Sequence, residues 1–313
     1  MNIEKKELKH SIKKGVEYLI DNQENDGSIS LNNDVRWKVW ETAHTIIAIT
    51  LVDENNKDFI GKAVNFLLTN QREDGSFSYT ITNDRDNYCM ETSAVAVLAI
   101  AKAKKNVKKG INFILEKQHY DGSWEIGIPG ITKRRFWPSI TGFVINTLLT
   151  LNVKSQGISE GVNYLIKNQK EDGSWGSNWV YYDTPFYPIH IILQSFKLYG
   201  LENSSYYKKA LNFVYDNQLE DGSWCAETTD KPRPSKALRT SLALNSLSIS
   251  SIEKQNMKSI EKGIMWLIKN QKKQGNWDGG YFVNWPGKKE DIYTTATAIT
   301  TIKKYEGILN NKK

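Results

Sequence analysis

Gln218-Leu219-Glu220-Asp221-Gly222-Ser223-Trp224 is one of six versions of a single phrase, Gln-x-x-Asp-Gly-Ser-Trp, opened by Gln23, Gln71, Gln118, Gln169, Gln218 and Gln271. The openings lie 48, 47, 51, 49 and 53 residues apart. Six units of this length fill nearly all of the 313 residues, so periodicity bounds the fold before any propensity is weighed. The repeat runs from end to end without a linker, and residues 1–313 read as one domain.

Before each Gln stands an amphipathic stretch: VEYLIDN, AVNFLLTN, GINFILEK, GVNYLIKN, ALNFVYDN and GIMWLIKN. Apolar residues recur there at helical spacing, which predicts one helix per unit with a single buried face. The Asp-Gly that follows stops the helix, because Gly takes the left-handed conformation that reverses the chain. After a loop comes a second, more apolar segment: ETAHTIIAITLV, ETSAVAVLAIAKA, SITGFVINTLLTL, PIHIILQSFKLY, LRTSLALNSL and TTATAITTIKKY. Twelve helices in two alternating classes predict an all-α fold, an (α/α)6 barrel with the apolar set inside. A linear solenoid is the competing arrangement, but its end repeats are normally atypical polar caps, and here the first and last units carry the motif.

The motif reads as scaffold. An indole stacked on the Gln amide and on a turn glycine of the neighbouring unit would rivet the outer layer, with Asp bonding turn N–H groups. Six equal positions suit architecture, whereas a reaction needs residues that break the symmetry.

Composition removes several classes. No run approaches the roughly 18 apolar residues of a membrane span, and the charged N-terminus lacks an apolar segment, so the expectation is a cytoplasmic protein. Two cysteines, Cys89 and Cys225, without a CxxC pair suit a reducing compartment and leave no cysteine-rich zinc site. The net charge of +7 comes mostly from lysines on predicted helix surfaces and reads as a solvated face rather than a nucleic-acid footprint.

The six Gln-x-x-Asp-Gly-Ser-Trp copies resemble the QW motifs of the terpene cyclase and protein prenyltransferase superfamily over essentially the whole chain. The resemblance implies an α/α toroid with a central isoprenoid-binding cavity. Pro286-Gly-Lys-Lys-Glu-Asp291-Ile-Tyr293-Thr294-Thr is similar to the prenyltransferase stretch P-G-K-x-x-D-x-Y-H-T. Arg233-Pro-Ser-Lys236-Ala-Leu-Arg239-Thr-Ser241 can be laid on R-x-x-K-x-x-D-x-C. By that resemblance Arg233 and Lys236 hold a diphosphate, while Arg239, Ser241 and Thr294 stand where the zinc ligands would be. Thr and Ser do not replace soft ligands. The implied chemistry is diphosphate recognition without zinc, with Mg²⁺ as the ion that would accompany a diphosphate. On the cyclase side, Cys89-Met90-Glu91-Thr92-Ser93-Ala94 takes the place of D-x-D-D-T-A, which puts Glu91 at the proton-donating acid although the flanking acids are absent.

Asymmetry between repeats points to the same segments. Six of the seven arginines, Arg36, Arg85, Arg134, Arg135, Arg233 and Arg239, lie between a motif and its inner helix, which predicts an anion-recognising mouth; pairing with Asp34, Asp84, Asp86 and Glu91 is the alternative. The aromatic residues Trp40, Tyr88, Trp137, Trp179, Tyr187, Trp285 and Tyr293 gather there as well, either as ordinary core or as the lining of a cavity for a greasy anion. A buried carboxylic acid could protonate an alkene. The candidates are Glu91, Glu41 at nearly the same place in the first unit, Asp183, and Asp291, which could instead cap its helix. His44 and His190, on inner helices at equivalent repeat positions, read as core.

Three functions stay open. The first is a cyclase that protonates an isoprenoid, a prenyl diphosphate above all. The second is a zinc-independent prenyltransferase with a small-molecule acceptor. The third is a silent toroid that binds a lipid or protein. An isoprenoid is the expected partner, nucleic acid is not, peripheral membrane contact would suit so greasy a substrate, and the sequence leaves the oligomeric state open.

Overall fold

The computed structural model describes residues 3–31, 34–35, 37–78, 88–128, 137–176, 184–225, 235–247, 254–280, 289 and 291–310. Among them the chain forms helices α1 (Lys5–Asp21), α2 (Lys38–Val52), α3 (Lys57–Thr69), α4 (Met90–Lys102), α5 (Lys108–Glu116), α6 (Pro138–Thr150), α7 (Gln156–Lys167), α8 (Phe186–Tyr199), α9 (Ser205–Asp216), α10 (Lys236–Leu247), α11 (Lys254–Lys269) and α12 (Asp291–Asn310). No strand forms among the described residues; isolated bridges join Gln23 to Ile29 and Gln218 to Trp224.

The two classes of helix differ in burial as their sequences predict. In α3 a single face is buried, through Phe59, Ile60, Ala63, Val64, Phe66 and Leu67. In α4 every residue from Met90 to Ile100 is buried, and in α10 every residue from Ala237 to Leu247. A helix apolar all round must be covered on all sides, so the even-numbered helices form the inner layer and the odd-numbered ones cover them.

The chain divides into two compact units. One spans Asn22–Gln169 with Leu198–Gly200 and contains α2 to α7; the other spans Met1–Asp21, Lys170–Lys197 and Leu201–Lys313 and contains α1 and α8 to α12. In the first, α4 packs between α2 and α6, while α3, α5 and α7 cover these inner helices. In the second, α10 packs on α9, α11 and α12, and α12 packs on α1.

The motif joins three helices at each turn. Its Asp accepts the N–H of the Ser two residues on, as Asp26 does from Ser28 at 2.9 Å and Asp221 from Ser223 at 3.0 Å, and in most copies the Ser hydroxyl too. The Gln amide donates to the motif Gly carbonyl and to the next outer helix: Gln23 to Phe59 O, Gln118 to Gly157 O and Gln218 to Ser259 O, at 2.7–3.1 Å. The indole meets a glycine of the next outer helix rather than the turn glycine expected. Its N–H donates back to its own outer helix, from Trp124 to Ile114 O at 2.7 Å and from Trp224 to Val214 O at 2.6 Å, while its ring abuts a glycine of the next one, Gly161 or Gly263. A buried indole needs an acceptor for its N–H, and the last turn of a helix offers free carbonyls.

The sixth motif treats α1 as its next helix. Gln271 donates to Ser11 O at 2.9 Å, Trp277 lies against Gly15, and Gly275 sits on the Lys14 carbonyl. An open solenoid has no such contact between its last and first repeats.

Candidate functional site

A hydroxyl sets the register of the inner helices. The residue after the motif Ser donates its N–H to Thr42, Ser93, Thr141, Thr240 or Thr295 at 2.9–3.2 Å, in repeats one, two, three, five and six. These five residues are therefore structurally equivalent. Two positions before them stand Trp40, Glu91, Ser139, Leu238 and Tyr293; one position before stand Glu41, Thr92, Ile140, Arg239 and Thr294.

Glu91 and Glu41 thus occupy different places, one residue and about 100° apart around the helix, which corrects the equivalence expected of them. The same holds for the two histidines. In repeats two, three and four the inner helix ends on a left-handed residue, Lys104, Asn152 or Gly200, with the next N–H reaching back to Ile100 O, Leu148 O or Phe196 O. Counting back from that turn aligns Ile189 with Thr141, so His190 falls one position after the register point, whereas His44 falls two after.

In the unit containing α2 to α7, Glu91 is 3 % exposed and accepts a 2.8 Å hydrogen bond from the Ser139 hydroxyl. Trp40, the residue at this same position on α2, is buried and packs edge-on against Phe143 of α6 at 5.5 Å and His44 at 4.3 Å. Three consecutive inner helices therefore present an indole, a carboxyl group and a hydroxyl at one repeat position. Trp137 is buried just before α6. Burial, reinforced by the Glu91 carboxylate, pushes the thiol of Cys89, two residues before Glu91, up to about 12. Glu41 is fully buried.

Tyr88 faces away from this group. Its hydroxyl donates to Glu125 at 3.2 Å, its ring packs on Phe113 of the outer helix α5 at 5.1 Å, and the backbone at Gly127 lies against that ring. It holds the segment after the third motif instead of lining a site. Burial, reinforced by Glu125, raises its phenol well above the ordinary range.

In the other unit Lys236 is tied to scaffold. Its ammonium pairs with Asp221 of the motif at 3.2 Å, both half exposed. Lys38, at the same register in the first repeat, pairs with Asp26 at 3.4 Å. Asp291 is this position in repeat six, where the motif reads Gln274-Gly275-Asn276. It accepts from Asn276 at 3.1 Å and from the Gly279 N–H at 2.7 Å. The acid has moved from the turn to the helix, so Asp291 closes the motif as a cap. Burial raises its carboxyl, against the Gly279 hydrogen bond.

Arg239, expected on a loop at the mouth, lies inside α10 and is 2 % exposed. Ser241 donates its hydroxyl to Ala237 O at 2.8 Å, and Thr294 is fully buried on α12. A guanidinium and two hydroxyls offer no zinc-ligating set. Tyr187 and Tyr293 are buried, Tyr187 with its ring 5.8 Å from that of His190. Arg85, Arg134, Arg135, Arg233, Asp183, Trp179 and Trp285 lie outside the described residues. Ser139 was missed from the sequence; its register match to Glu91 was the signal, and it needs the motif-to-helix hydrogen bonds to be read.

Helical hairpins joined by QW motifs are the architecture of the terpene cyclase superfamily. The squalene-hopene cyclase C-terminal domain family matches residues 1–132 and 137–298, and the chain belongs to that family. It is 30 % identical over 142 residues to a squalene–hopene cyclase of Zymomonas mobilis, a match of 42 % of this chain and 21 % of that protein. The chain thus aligns with about a fifth of its curated relative. Its fold is that of the type II terpene cyclase MstE from Scytonema, with a TM-score of 0.80 at 15 % identity over 98 % of this chain and 100 % of the other. A possible glycoside hydrolase family 105 member from Salmonella enterica serovar Paratyphi A also matches, with a TM-score of 0.70 at 14 % identity over 99 % and 96 % of the two chains. The fold is the α/α-toroid class, and fold alone does not select the reaction.

Proposed function

We propose that the chain is a protonation-initiated terpene cyclase acting on an isoprenoid, with Glu91 as the acid and a prenyl diphosphate as the substrate. The observation that carries this reading is a carboxyl group withdrawn from water beside Ser139, at the repeat position where Trp40 stands on the adjacent helix. Loss of hydration favours the neutral form of a carboxyl group, the only form with a proton to give.

The step balances without a cofactor. The Glu91 proton bonds to the less substituted carbon of a distal alkene, whose π pair forms the new C–H bond and leaves a tertiary cation. An internal alkene attacks that cation and closes a ring, and proton loss from the last cation restores an alkene. Glu91 regains its proton from solvent, so the net reaction is an isomerisation that keeps the head group. Aromatic rings such as Trp40 stabilise the passing cation by about 0.5–2 kcal/mol each when well placed. MstE has been seen with geranylgeranyl dihydroxybenzoate as substrate, an isoprenoid chain on a polar aromatic head.

Incubation with C10 to C20 prenyl diphosphates, followed by product analysis and a pyrophosphate assay, tests the reading. Cyclised products that retain the diphosphate are expected, and Glu91→Gln should lower turnover by about 10²–10⁴-fold while substrate still binds. Full activity in that variant removes Glu91 from the mechanism. Released pyrophosphate would mark a prenyltransferase, and tight binding without turnover a silent binder.

A further inference from the structure

Asn146 carries a buried amide with no partner among the described residues. It lies inside α6, is 7 % exposed, and its side chain makes no hydrogen bond. Asn70, Asn168, Asn217 and Asn270, at the ends of outer helices, each donate to the carbonyl four residues back at 2.8–2.9 Å. Asn146 does not. Nor is its amide sealed in like the Thr45 hydroxyl, which has neither a partner nor accessible surface. Asparagine is a poor residue for a helix interior. An unpaired amide at this depth is costly, and in a native protein such a group normally meets a water or a ligand.

Its place on α6 gives the amide a direction. Ser139, Phe143 and Asn146 follow one another at four and three residues, so they share one face of the helix. That face brings the Ser139 hydroxyl to Glu91 and the Phe143 ring to Trp40 and His44 of α2. Counted from the shared register, the Asn146 position is held by Ile47 on α2 and Leu98 on α4. Between the acid and the amide this face is apolar apart from His44, whose ring lies against Trp40 and Phe143. Asn146 thus ends a greasy strip that begins at Glu91, about 10 Å along α6 from Ser139.

We infer that Asn146 selects the substrate by length, its amide donating a hydrogen bond to the oxygen at the head of an isoprenoid chain whose distal alkene sits at Glu91. The place of the alkene rests on the reading of Glu91 as the acid; the amide subsite does not. Carbon–carbon bonds of about 1.5 Å advance an extended chain by about 1.3 Å each, so about 10 Å is about eight bonds. From the carbon that takes the proton to the head oxygen, a C10 prenyl chain has six bonds, a C15 chain ten and a C20 chain fourteen. Coiling for ring closure shortens the span. The C15 chain therefore fits, whereas C10 falls short even when extended and C20 carries its head beyond the amide. An oxygen that accepts the amide N–H is common to a prenyl alcohol and a prenyl diphosphate.

The test reads binding apart from proton transfer. Quenching of tryptophan fluorescence is titrated with C10, C15 and C20 prenyl diphosphates and prenyl alcohols whose chains are fully hydrogenated, so that no alkene remains to protonate. The wild type should bind the C15 chain best. Asn146→Leu should hold its Tm without ligand, since an unpaired amide gives way to an apolar side chain of similar size. It should bind the C15 ligand about 10-fold more weakly and lose the preference for C15 over C20. Asn146→Gln, which keeps an amide, should lose less. The head group whose affinity falls identifies alcohol or diphosphate as the carrier of the oxygen. A Tm several degrees lower in Asn146→Leu, unchanged C15 binding in it, or a wild type that does not prefer C15 would overturn the proposal. Full activity in Glu91→Gln would remove the acid and leave the binding result standing.

Discussion

Ser139 is the residue whose removal reads most directly on the acid. Its hydroxyl is the donor to Glu91 across α4 and α6, and such a bond contributes about 0.5–1.5 kcal/mol to a neutral acceptor and about 1.5–3 kcal/mol to a charged one. Ser139→Ala should leave the fold intact, lower Tm modestly and shift the pH profile of turnover, since the neutral and charged forms of Glu91 lose different amounts of support. A profile unchanged from wild type would make the bond structural only. Glu91 itself was legible in the sequence as an acid opening an apolar helix. What could not be read was its distinction from Glu41, because one residue of slip in an inner helix is invisible until Thr42 and Ser93 are seen bonding to the same turn. Side-chain partnership likewise decided Lys236, Asp291 and Tyr88, whose chemistry suits a site but whose partners, Asp221, Asn276 and Glu125, hold them to the scaffold.

Among the elements, the reversing turn is where the repeat is least tolerant. Gly222 has φ of +91°, and a Cβ there would come 2.7 Å from the Lys262 carbonyl of α11. Gly200, with φ of +89°, has open space around it. Alanine at Gly200 should cost about 1–2 kcal/mol from the left-handed conformation alone. Alanine at Gly222 should cost about 1–3 kcal/mol beyond that, because α11 must move off the turn. Urea unfolding of the two variants compares them, and equal losses would show that the close approach has no energetic weight. Helix existence and alternation followed from the hydrophobic period, because an all-apolar helix and a one-faced helix have different sequences. The direction of the indole did not, since the motif alone does not show which carbonyl its N–H reaches.

For the molecule as a whole, acid should act in two stages. Burial presses the His190 imidazole down to about 4, against the Tyr187 carbonyl that accepts from its ring at 2.5 Å. The unfolded chain takes up a proton near pH 6.5 that the folded chain refuses until about 4. Stability therefore falls as pH drops through that interval, by about 3 kcal/mol at most. The motif carboxyls act lower. For Asp221, burial is outweighed by Ser223 and Lys236, which together hold it at about 2, and Asp26 and Asp121 are also lowered. Their support is present above the ordinary carboxylate range near 4 and is lost as pH falls toward 2. Denaturant titrations from pH 7 to 4 should show His190→Gln with a flatter stability profile than the wild type; parallel profiles would remove His190 as the cause.

The grip of the sixth motif on α1 sets an order in time as well as in space. Ser11 leaves the ribosome 260 residues ahead of the Gln271 that will bond its carbonyl, a delay of about 13–52 s at ordinary rates of synthesis. Throughout that interval the apolar stripe of α1, with Leu8, Ile12 and Leu19, lacks the helix it will pack against. Helix α1 is thus made well before the helix that seats it, and the nascent chain carries its greasy stripe uncovered by α12 for all of that time.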